Sequence, residues 1–218
     1  EGIAPVLPIL QEIEAVSDKS QWSSVLGKAM DFGLWAMYVD ADAMNSSMNI
    51  LNEYQAGFAL SQKDYYIDQD EHTQHIRAEY LKHIEKMFTL FGFDNAAEKA
   101  QTVLRLETRL ANAALSNVEL RDPVANYNKM SVTELQQLVP EVDWNVYFTG
   151  LNIAPDSLSV GQIRHLQEAG KMLAEESIED MKTLFTWQVI DGSADFLTEE
   201  IFMQNFEFYG RTLSGRQE

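Results

Sequence analysis

Two long stretches in the middle of the chain repeat apolar residues at the spacing of an α-helix, and they constrain the fold more than any other feature. The first, residues 72–91, places its apolar side chains on related faces and ends at Gly92, a residue type common just after helices. The second, residues 95–116, carries a broad stripe of alanine, valine and leucine. Stripes of this width have to be buried against other helices, so the pattern predicts a mainly α fold.

The remainder of the chain fits shorter helices, with one exception. Residues 34–40 and 48–54 flank a turn-forming segment, 42–47, and this arrangement predicts one small β-hairpin near residues 34–54 as the only sheet. The loops at Pro140 and Pro155 are too short for interdomain linkers, so we expect a single multi-helix domain over residues 1–218. The further predicted helices are residues 3–16, a helix capped by Asp18 or Ser20 and closed by Phe32-Gly33, and residues 131–138, 143–150, 159–173, 175–189 and 198–208.

Charge and cysteine content exclude several classes of function. Acidic residues outnumber basic ones by 34 to 16, which gives a net charge of −18 at pH 7. Nucleic acids and anionic membranes bind basic surfaces, so we expect neither as a partner. An acidic surface can steer basic peptides, although it more often serves solubility.

The absence of cysteine excludes thiol catalysis, disulfides and zinc–thiolate sites. No apolar run approaches the roughly 20 residues that cross a bilayer. The opening Glu1-Gly2, in place of methionine, suggests an excised segment.

The histidines are weak candidates for metal binding or catalysis. A zinc-peptidase helix needs two histidines four residues apart with a glutamate between them. Here His72 and His75 are three residues apart and the nearest glutamate precedes both. Together with Glu79 they could form a fortuitous surface metal site, but a solvated helix start is the simpler interpretation. His83 sits among apolar residues and is predicted to be structural, while His165 lies alone on a predicted helix, and neither has a nucleophile motif nearby.

Oxygen ligands and glycines offer further candidates of low specificity. Asp40, Asp42 and Asn45 would place three oxygen ligands in the predicted hairpin turn, but they lack the EF-hand spacing and more simply form Asx turns. Gly210 and Gly215 lack the lysine and the spacing of a phosphate-binding loop. Adjacent acids do not face one another on a helix and are expected to be solvated. The pairs in question are Glu175-Glu176, Glu179-Asp180 and Glu199-Glu200.

Aromatic residues concentrate near the end of the chain. Helical spacing would put Phe202, Phe206 and Tyr209 on one face. Such a face is either core or a surface that docks against polypeptide outside this segment.

Residues 120–130 form a polar junction between predicted helices. Asp122-Pro123 is a helix-start or turn signal, because the carboxylate can cap free amides and proline suits a first helical position. Arg121 can offer its guanidinium to a carboxylate or to helix-end carbonyls. Tyr127 and Asn128 can bond backbone groups that the broken helix leaves unpaired. We interpret these four residues as polar fasteners between helices and not as a reactive site.

Several motifs, in order, resemble the helical domain of the neprilysin family of zinc metalloendopeptidases, most like its bacterial endothelin-converting-enzyme/oligopeptidase-type members. The resemblance covers nearly the whole chain. Phe58 and Ser61 depart from it, because they stand where the family has leucine and proline. The motifs are Gln55-Ala56-Gly57-Phe58-Ala59-Leu60, Asp64-Tyr65-Tyr66, Glu107-Thr108-x-Leu110-Ala111, Leu120-Arg121-Asp122-Pro123, Tyr127-Asn128-x-Met130, Pro140 with Trp144, and the closing run from Phe206 to Gly215.

The resemblance implies a non-catalytic part of a two-lobed enzyme. In the family one lobe holds zinc through a histidine-glutamate-x-x-histidine helix and a further glutamate, and the helical lobe covers the substrate cavity. This sequence has neither that zinc motif nor the substrate-binding asparagine-alanine-tyrosine-tyrosine run. We therefore predict no catalytic, cofactor-binding or metal-binding residue in the segment, with zinc held elsewhere in the full-length enzyme.

The same resemblance implies the partners and the setting. The partners would be the catalytic lobe of the same protein and short peptides in the shared cavity, in a bacterial periplasmic, secreted or surface-exposed protein, with the cytoplasm left open. Two alternatives stand beside it. One is a free-standing helical peptide-binding or scaffold domain without peptidase activity. The other is an independent enzyme that uses His72, His75 and Glu79.

Overall fold

A computed structural model describes residues 2–216. In them the chain forms ten α-helices and four β-strands, joined by short 3-10 turns and followed by a π-helix, Glu207–Leu213. The helices are α1 (Leu7–Glu14), α2 (Trp22–Lys28), α3 (Asp64–Ile67), α4 (Glu71–Leu90), α5 (Ala96–Ala113), α6 (Val132–Leu138), α7 (Trp144–Gly150), α8 (Ile163–Glu175), α9 (Ile178–Ser193) and α10 (Glu199–Phe206). The strands are β1 (Trp35–Asp42), β2 (Asn45–Gln55), β3 (Lys129–Ser131) and β4 (Ser157–Val160).

The predicted mainly α fold is confirmed, and its centre is the packing of α5 between α4 and α9. The stripe side of α5 is fully buried, as Val103 and Leu106 show. The start of α4 is fixed by Asp70, whose carboxylate accepts a hydrogen bond from the Thr73 amide at 2.9 Å. Its end is fixed by Gly92, which adopts a φ of 81° that residues with a side chain rarely take. None of the helices in the described residues is long and apolar enough to cross a membrane.

The predicted hairpin is confirmed, but it is half of a larger sheet. β1 and β2 pair antiparallel, with Val39 opposite Leu51. β4 pairs parallel with β2 and antiparallel with β3, which gives the strand order β1-β2-β4-β3. The predicted helix 159–173 is therefore wrong at its start, since the chain is a strand until Val160 and α8 begins at Ile163. A four-residue strand is too short to show a period of two, and its hydrogen bonds come from remote partners.

One contiguous cluster of buried apolar residues extends from Val6 to Phe208 and joins the helices to the sheet. The helices α2 and α7 pack against each other at two glycines, Gly27 and Gly150. A Cβ atom added to Gly27 would lie 2.4 Å from the Tyr147 carbonyl oxygen, and one added to Gly150 would lie 2.8 Å from the Gly27 carbonyl carbon. The two helix backbones therefore approach as closely as they do because neither position carries a side chain.

Candidate functional site

Several strongly perturbed titratable groups cluster around Glu107, in the buried stripe of α5. Outside this cluster, burial also raises the pKa of Glu53 on β2 to about 8. The Tyr66 hydroxyl donates to Glu107 Oε2 at 2.6 Å, and the Tyr80 hydroxyl lies 2.9 Å from both carboxyl oxygens. Trp187 Nε1 donates in turn to the Tyr80 oxygen at 3.0 Å. Burial raises the pKa of Glu107 to about 8, although the two tyrosine hydroxyls oppose this. The carboxyl is therefore mostly protonated at neutral pH.

A second acid, Asp191 on α9, lies close enough to Glu107 to raise its pKa further. Burial raises the pKa of Asp191 itself to about 7. Within residues 2–216 its Oδ1 and the Tyr209 hydroxyl oxygen are both buried and make no well-formed hydrogen bond, but the two groups lie close enough for Tyr209 to lower the pKa of Asp191. Buried polar atoms without partners are uncommon in folded proteins, so this end of the cluster differs from the fully bonded carboxyl of Glu107.

Both acids line a cavity of about 520 Å³ between α2, β1, α5, α7 and α9. The cavity reaches the surface, because Met30, which is 89% exposed, also lines it. Gln188 forms hydrogen bonds to two different segments of the cavity wall. Its Oε1 accepts from the Gly33 amide at 2.8 Å, and its Nε2 donates to the Gly57 carbonyl at 3.4 Å. The described residues that line the cavity include three carboxyl groups but no lysine, arginine or histidine.

These carboxyl groups can exchange protons near neutral pH and, when ionised, can accept hydrogen bonds from a cation. Two acids with pKa values of about 7 and about 8 change charge near neutral pH. The cavity lining contains no serine, threonine or cysteine that could act as a nucleophile. The cluster therefore supplies a binding pocket with adjustable negative charge and does not supply a catalytic triad.

The sequence does not identify either acid as a site residue. Glu107 belongs to one of the motifs shared with the neprilysin family, and no motif includes Asp191. The available signal was position: Glu107 lies four residues after Val103 and three before Leu110, inside an apolar stripe where a charged residue needs partners.

The histidine candidates at the start of α4 are not brought together with a third ligand. His72 and His75 are exposed, and Glu79 binds Lys82 at 2.7 Å. Across residues 2–216 no group of three histidine, cysteine, aspartate or glutamate side chains is placed to hold a metal ion. The described residues therefore do not fit a zinc site of the kind the resemblance implies for the full-length enzyme.

The other two histidines are buried in the core. His83 stacks on Phe208, with ring centroids 4.9 Å apart, and its Nδ1 accepts from Gln204 at 3.1 Å. His165 lies with its Nε2 2.8 Å from the Ala56 carbonyl oxygen. Burial lowers the pKa of His83 to about 3 and that of His165 to about 4. Both rings are neutral packing elements at physiological pH.

The hairpin turn residues bond separately and do not converge on one point. Asp42 is buried, and its Oδ1 accepts from the Met44 amide at 2.9 Å and from the Tyr127 hydroxyl at 2.7 Å. Asp40 accepts from the next backbone amide, and Asn45 from the Ser47 hydroxyl. Asp42 is thus an anchor for the segment that precedes β3.

The polar junction at residues 120–130 has a different role from the one predicted. Asp122 does cap a turn, accepting from two following amides at 2.9 and 3.0 Å. Tyr127, however, binds the hairpin through Asp42, and Asn128 Nδ2 donates to the Val160 carbonyl at 2.9 Å. The interpretation as a fastener between helices is therefore wrong for Tyr127 and Asn128, which hold the sheet together. Arg121 lies in a 3-10 turn with its side chain exposed.

The predicted solvated acid pairs are only partly solvated. Arg109 on α5 binds Glu168 at 2.6 Å and Glu176 at 2.9 Å, and also binds Glu175. Arg105, one turn earlier, binds Glu176 at 2.9 Å. Glu175 is the last residue of α8, and Glu176 lies in the short connection to α9. This network therefore fixes the bend between those two helices. The spacing of the two arginines on one helix face was the signal for it.

The closing aromatic residues do not form the single face that was predicted. Phe208 is buried and the Tyr209 hydroxyl points inward, whereas Phe202 remains 42% exposed. The reason is the π-helix at residues 207–213, which changes the helical register. Gly210 permits the packing there, because a Cβ atom at this position would lie 2.6 Å from the Phe206 ring. Gly210 and Gly215 thus lie at the end of a helix, and Gly215 has a φ of 67°.

The structure defines the class of the protein as a mainly helical fold with a small mixed sheet and a cavity lined by carboxyl groups. The family model for Peptidase family M13 matches residues 1–218, and the chain belongs to that family. The resemblance to the neprilysin-type peptidases is thereby confirmed, with the chain in the N-terminal part of the family sequence.

Relatives and solved structures agree with this assignment. Mouse endothelin-converting enzyme-like 1 is 34% identical over 113 residues, 51% of this chain and 15% of the relative. Neprilysin-11 of Caenorhabditis elegans is 24% identical over 97% of this chain and 27% of the relative. The zinc metalloprotease Zmp1 of Mycobacterium tuberculosis, solved with an inhibitor, matches the whole chain with a TM-score of 0.93 and 31% identity. PepO of Lactobacillus rhamnosis, at 20% identity and a TM-score of 0.79, shares the fold. The chain spans about a third of each of these two solved chains, 34% and 35%.

Proposed function

We propose that residues 1–218 form a single domain that is the covering lobe of a zinc-dependent metalloendopeptidase and is not catalytic by itself. One observation carries this proposal: the whole chain superimposes on 34% of the chain of a zinc metalloprotease with a TM-score of 0.93. Residues 2–216 contain no group of three histidine, cysteine, aspartate or glutamate side chains placed to hold a metal ion. In the proposed enzyme the zinc would lie in a catalytic lobe outside this segment, where it would activate water for attack on a peptide carbonyl.

The role of this lobe would be steric. Its helices would form one wall of a substrate cavity, admit short peptides and exclude folded proteins. The partner would be the catalytic lobe of the same protein, and the setting periplasmic, secreted or surface-exposed. Phe196, which is 84% exposed, and Phe202 on α10 support a contact with that lobe, because large exposed aromatic side chains commonly mark interfaces.

The test compares the 218-residue chain with the longer protein that contains it. We expect the longer protein to hold one zinc and to lose peptidase activity with a chelator, and the 218-residue chain to do neither. A series of substrates from short peptides to folded proteins should show kcat/KM falling with size. One tightly held zinc with chelator-sensitive cleavage in the short chain would refute the proposal, as would equal cleavage of short peptides and folded proteins by the long one.

A charged substitution at Phe196 tests the contact between lobes. In the 218-residue chain Phe196→Asp should leave the melting temperature unchanged, because the side chain is already in water. In the longer protein the same change should lower peptidase activity without loss of zinc. His75→Ala is the matched control and should alter neither zinc content nor activity in the longer protein.

A further inference from the structure

We propose that the cavity lined by Glu107 and Asp191 binds a guanidinium or ammonium group on an apolar stem, as in the side chain of an arginine or lysine residue of a peptide. As a statement about substrate this rests on the proposed function, because it names a side chain that the cavity wall would recognise. Binding itself needs only this lobe.

The charge of the lining selects a cation. Asp31, Glu107 and Asp191 contribute carboxyl groups to a cavity that no described lysine, arginine or histidine lines. An anionic ligand would find no cationic side chain among these residues, whereas a cation would gain charge-assisted hydrogen bonds from carboxyl groups that ionise near neutral pH. The first acceptor for such a donor is the Asp191 carboxyl, because the nearby Tyr209 hydroxyl makes no well-formed hydrogen bond with it in residues 2–216. Glu107, held by two tyrosine hydroxyls and mostly protonated at neutral pH, would add negative charge once a bound cation favours its ionised form.

The walls select an apolar stem of side-chain size. Phe32, Phe58, Leu151 and Trp187 line the cavity along with the carboxyl groups. A volume of about 520 Å³ has room for one long side chain and adjoining backbone. The methylene groups of arginine or lysine would lie against these aromatic and aliphatic surfaces while the charged end reached the acids. The rim residues Met30 and Asp31 leave the route to the surface open.

Binding of a cation should release a proton. The groups that face Glu107 are Tyr66, Tyr80 and Asp191, and those that face Asp191 are Glu107, Asp195 and Tyr209. None of these neighbours is cationic, and burial raises the pKa of Glu107 to about 8 and of Asp191 to about 7. A bound guanidinium would favour the ionised carboxylates, so affinity should rise as the pH increases from 6 to 8.

The experiment is calorimetric titration of the 218-residue chain with N-acetyl-arginine methylamide, and with its citrulline counterpart as the neutral isostere. We expect the arginine compound to bind about tenfold or more tightly than citrulline, the size of a charge-assisted hydrogen bond. We also expect tighter binding at pH 8 than at pH 6, with proton release seen as a dependence of the heat on the buffer. No arginine binding at millimolar concentration, or equal binding of both compounds, would overturn the proposal.

Substitutions locate the site. Asp191→Asn should weaken arginine binding about tenfold, because it removes the carboxylate that would pair with the cation. Glu107→Gln should weaken it less and keeps an oxygen that can accept the tyrosine hydroxyls, so it serves as the second variant if Asp191→Asn fails to fold. Asp94→Asn is the charge-matched control, since Asp94 is exposed and does not line the cavity. Equal effects of all three substitutions would place the binding elsewhere and overturn the proposal.

Discussion

Replacing Gly27 by alanine should destabilise the protein, although alanine is preferred over glycine in an isolated helix. Gly27 lies in α2 where that helix packs on α7. The added Cβ would lie 2.4 Å from the Tyr147 carbonyl oxygen and 3.1 Å from two further backbone atoms of Tyr147. No rotamer change relieves this contact, because both sides are main chain. The helices must separate or bend instead.

Two opposing terms set the magnitude. Replacing glycine by alanine in a helix interior gains up to about 1 kcal/mol from backbone propensity. Overpacking a well-filled core costs about 1–3 kcal/mol, and more where nothing soft can yield. Moving α7 would also strain the hydrogen bond from Trp35 Nε1 to the Tyr147 hydroxyl at 3.0 Å. We therefore expect a net loss of about 2 kcal/mol in the free energy of unfolding.

Urea denaturation followed by tryptophan fluorescence measures the effect, with Gly192→Ala as the matched control. Gly192 is also helical, in α9, but a Cβ atom there would meet nothing within 4 Å. That variant should be neutral or more stable by up to about 1 kcal/mol, because only the propensity term acts. If Gly27→Ala were stabilised to the same extent as Gly192→Ala, the close approach of α2 and α7 would not limit stability and the reasoning would fail.

Three further outcomes follow from single interactions. Because the folded pKa values of Glu107 and Glu53, each about 8, and of Asp191, about 7, lie above their unfolded values, the contribution of these acids to stability is complete below pH 4 and is lost as pH rises to 8. The free energy of unfolding from urea denaturation should therefore be lower at pH 8 than at pH 6, by at most about 1.4 kcal/mol per pH unit and proton, and Glu107→Gln should reduce this dependence. Arg109→Lys should cost about 1 kcal/mol because one ammonium cannot replace a guanidinium bound to three acids, whereas Arg211→Lys, in an exposed pair with Glu207, should cost almost nothing in the same urea assay. Asn128→Ala should cost about 1 kcal/mol by thermal unfolding, because its amide bonds two carbonyls beside the sheet.

The helices were predictable because their start signals are local. Ser131 accepts from the Glu134 amide while the Glu134 carboxylate binds the Ser131 amide at 2.7 Å, a capping box visible in the sequence. Asp143 caps α7 in a similar way. Each predicted boundary there lies within one residue of the observed one, because the residues that stop the helix are its sequence neighbours.

The sheet was only half predictable, for the converse reason. The hairpin brings together strands separated by a two-residue connection, and its turn formers are visible in the sequence. β4, by contrast, pairs with a strand about a hundred positions earlier, with Leu158 opposite Leu51. Nothing local in four residues specifies that partner. Leu158 and Val160 are fully buried, which is compatible with a short helix until the pairing is known.

At the candidate cavity, the sequence predicts that an acid is buried but not which residues bond to it. A glutamate inside an apolar stripe indicates that position 107 is buried and bonded, but its partners Tyr66 and Tyr80 come from two other helices. Asp191 follows Val189 and Ile190 on a buried helix, and only the structure shows that its Oδ1 lies by the Tyr209 hydroxyl without a well-formed hydrogen bond in residues 2–216. The two acids should therefore separate experimentally. Loss of the fully bonded Glu107 carboxyl should act mainly on stability and its pH dependence, whereas loss of the Asp191 carboxyl should act mainly on cation binding.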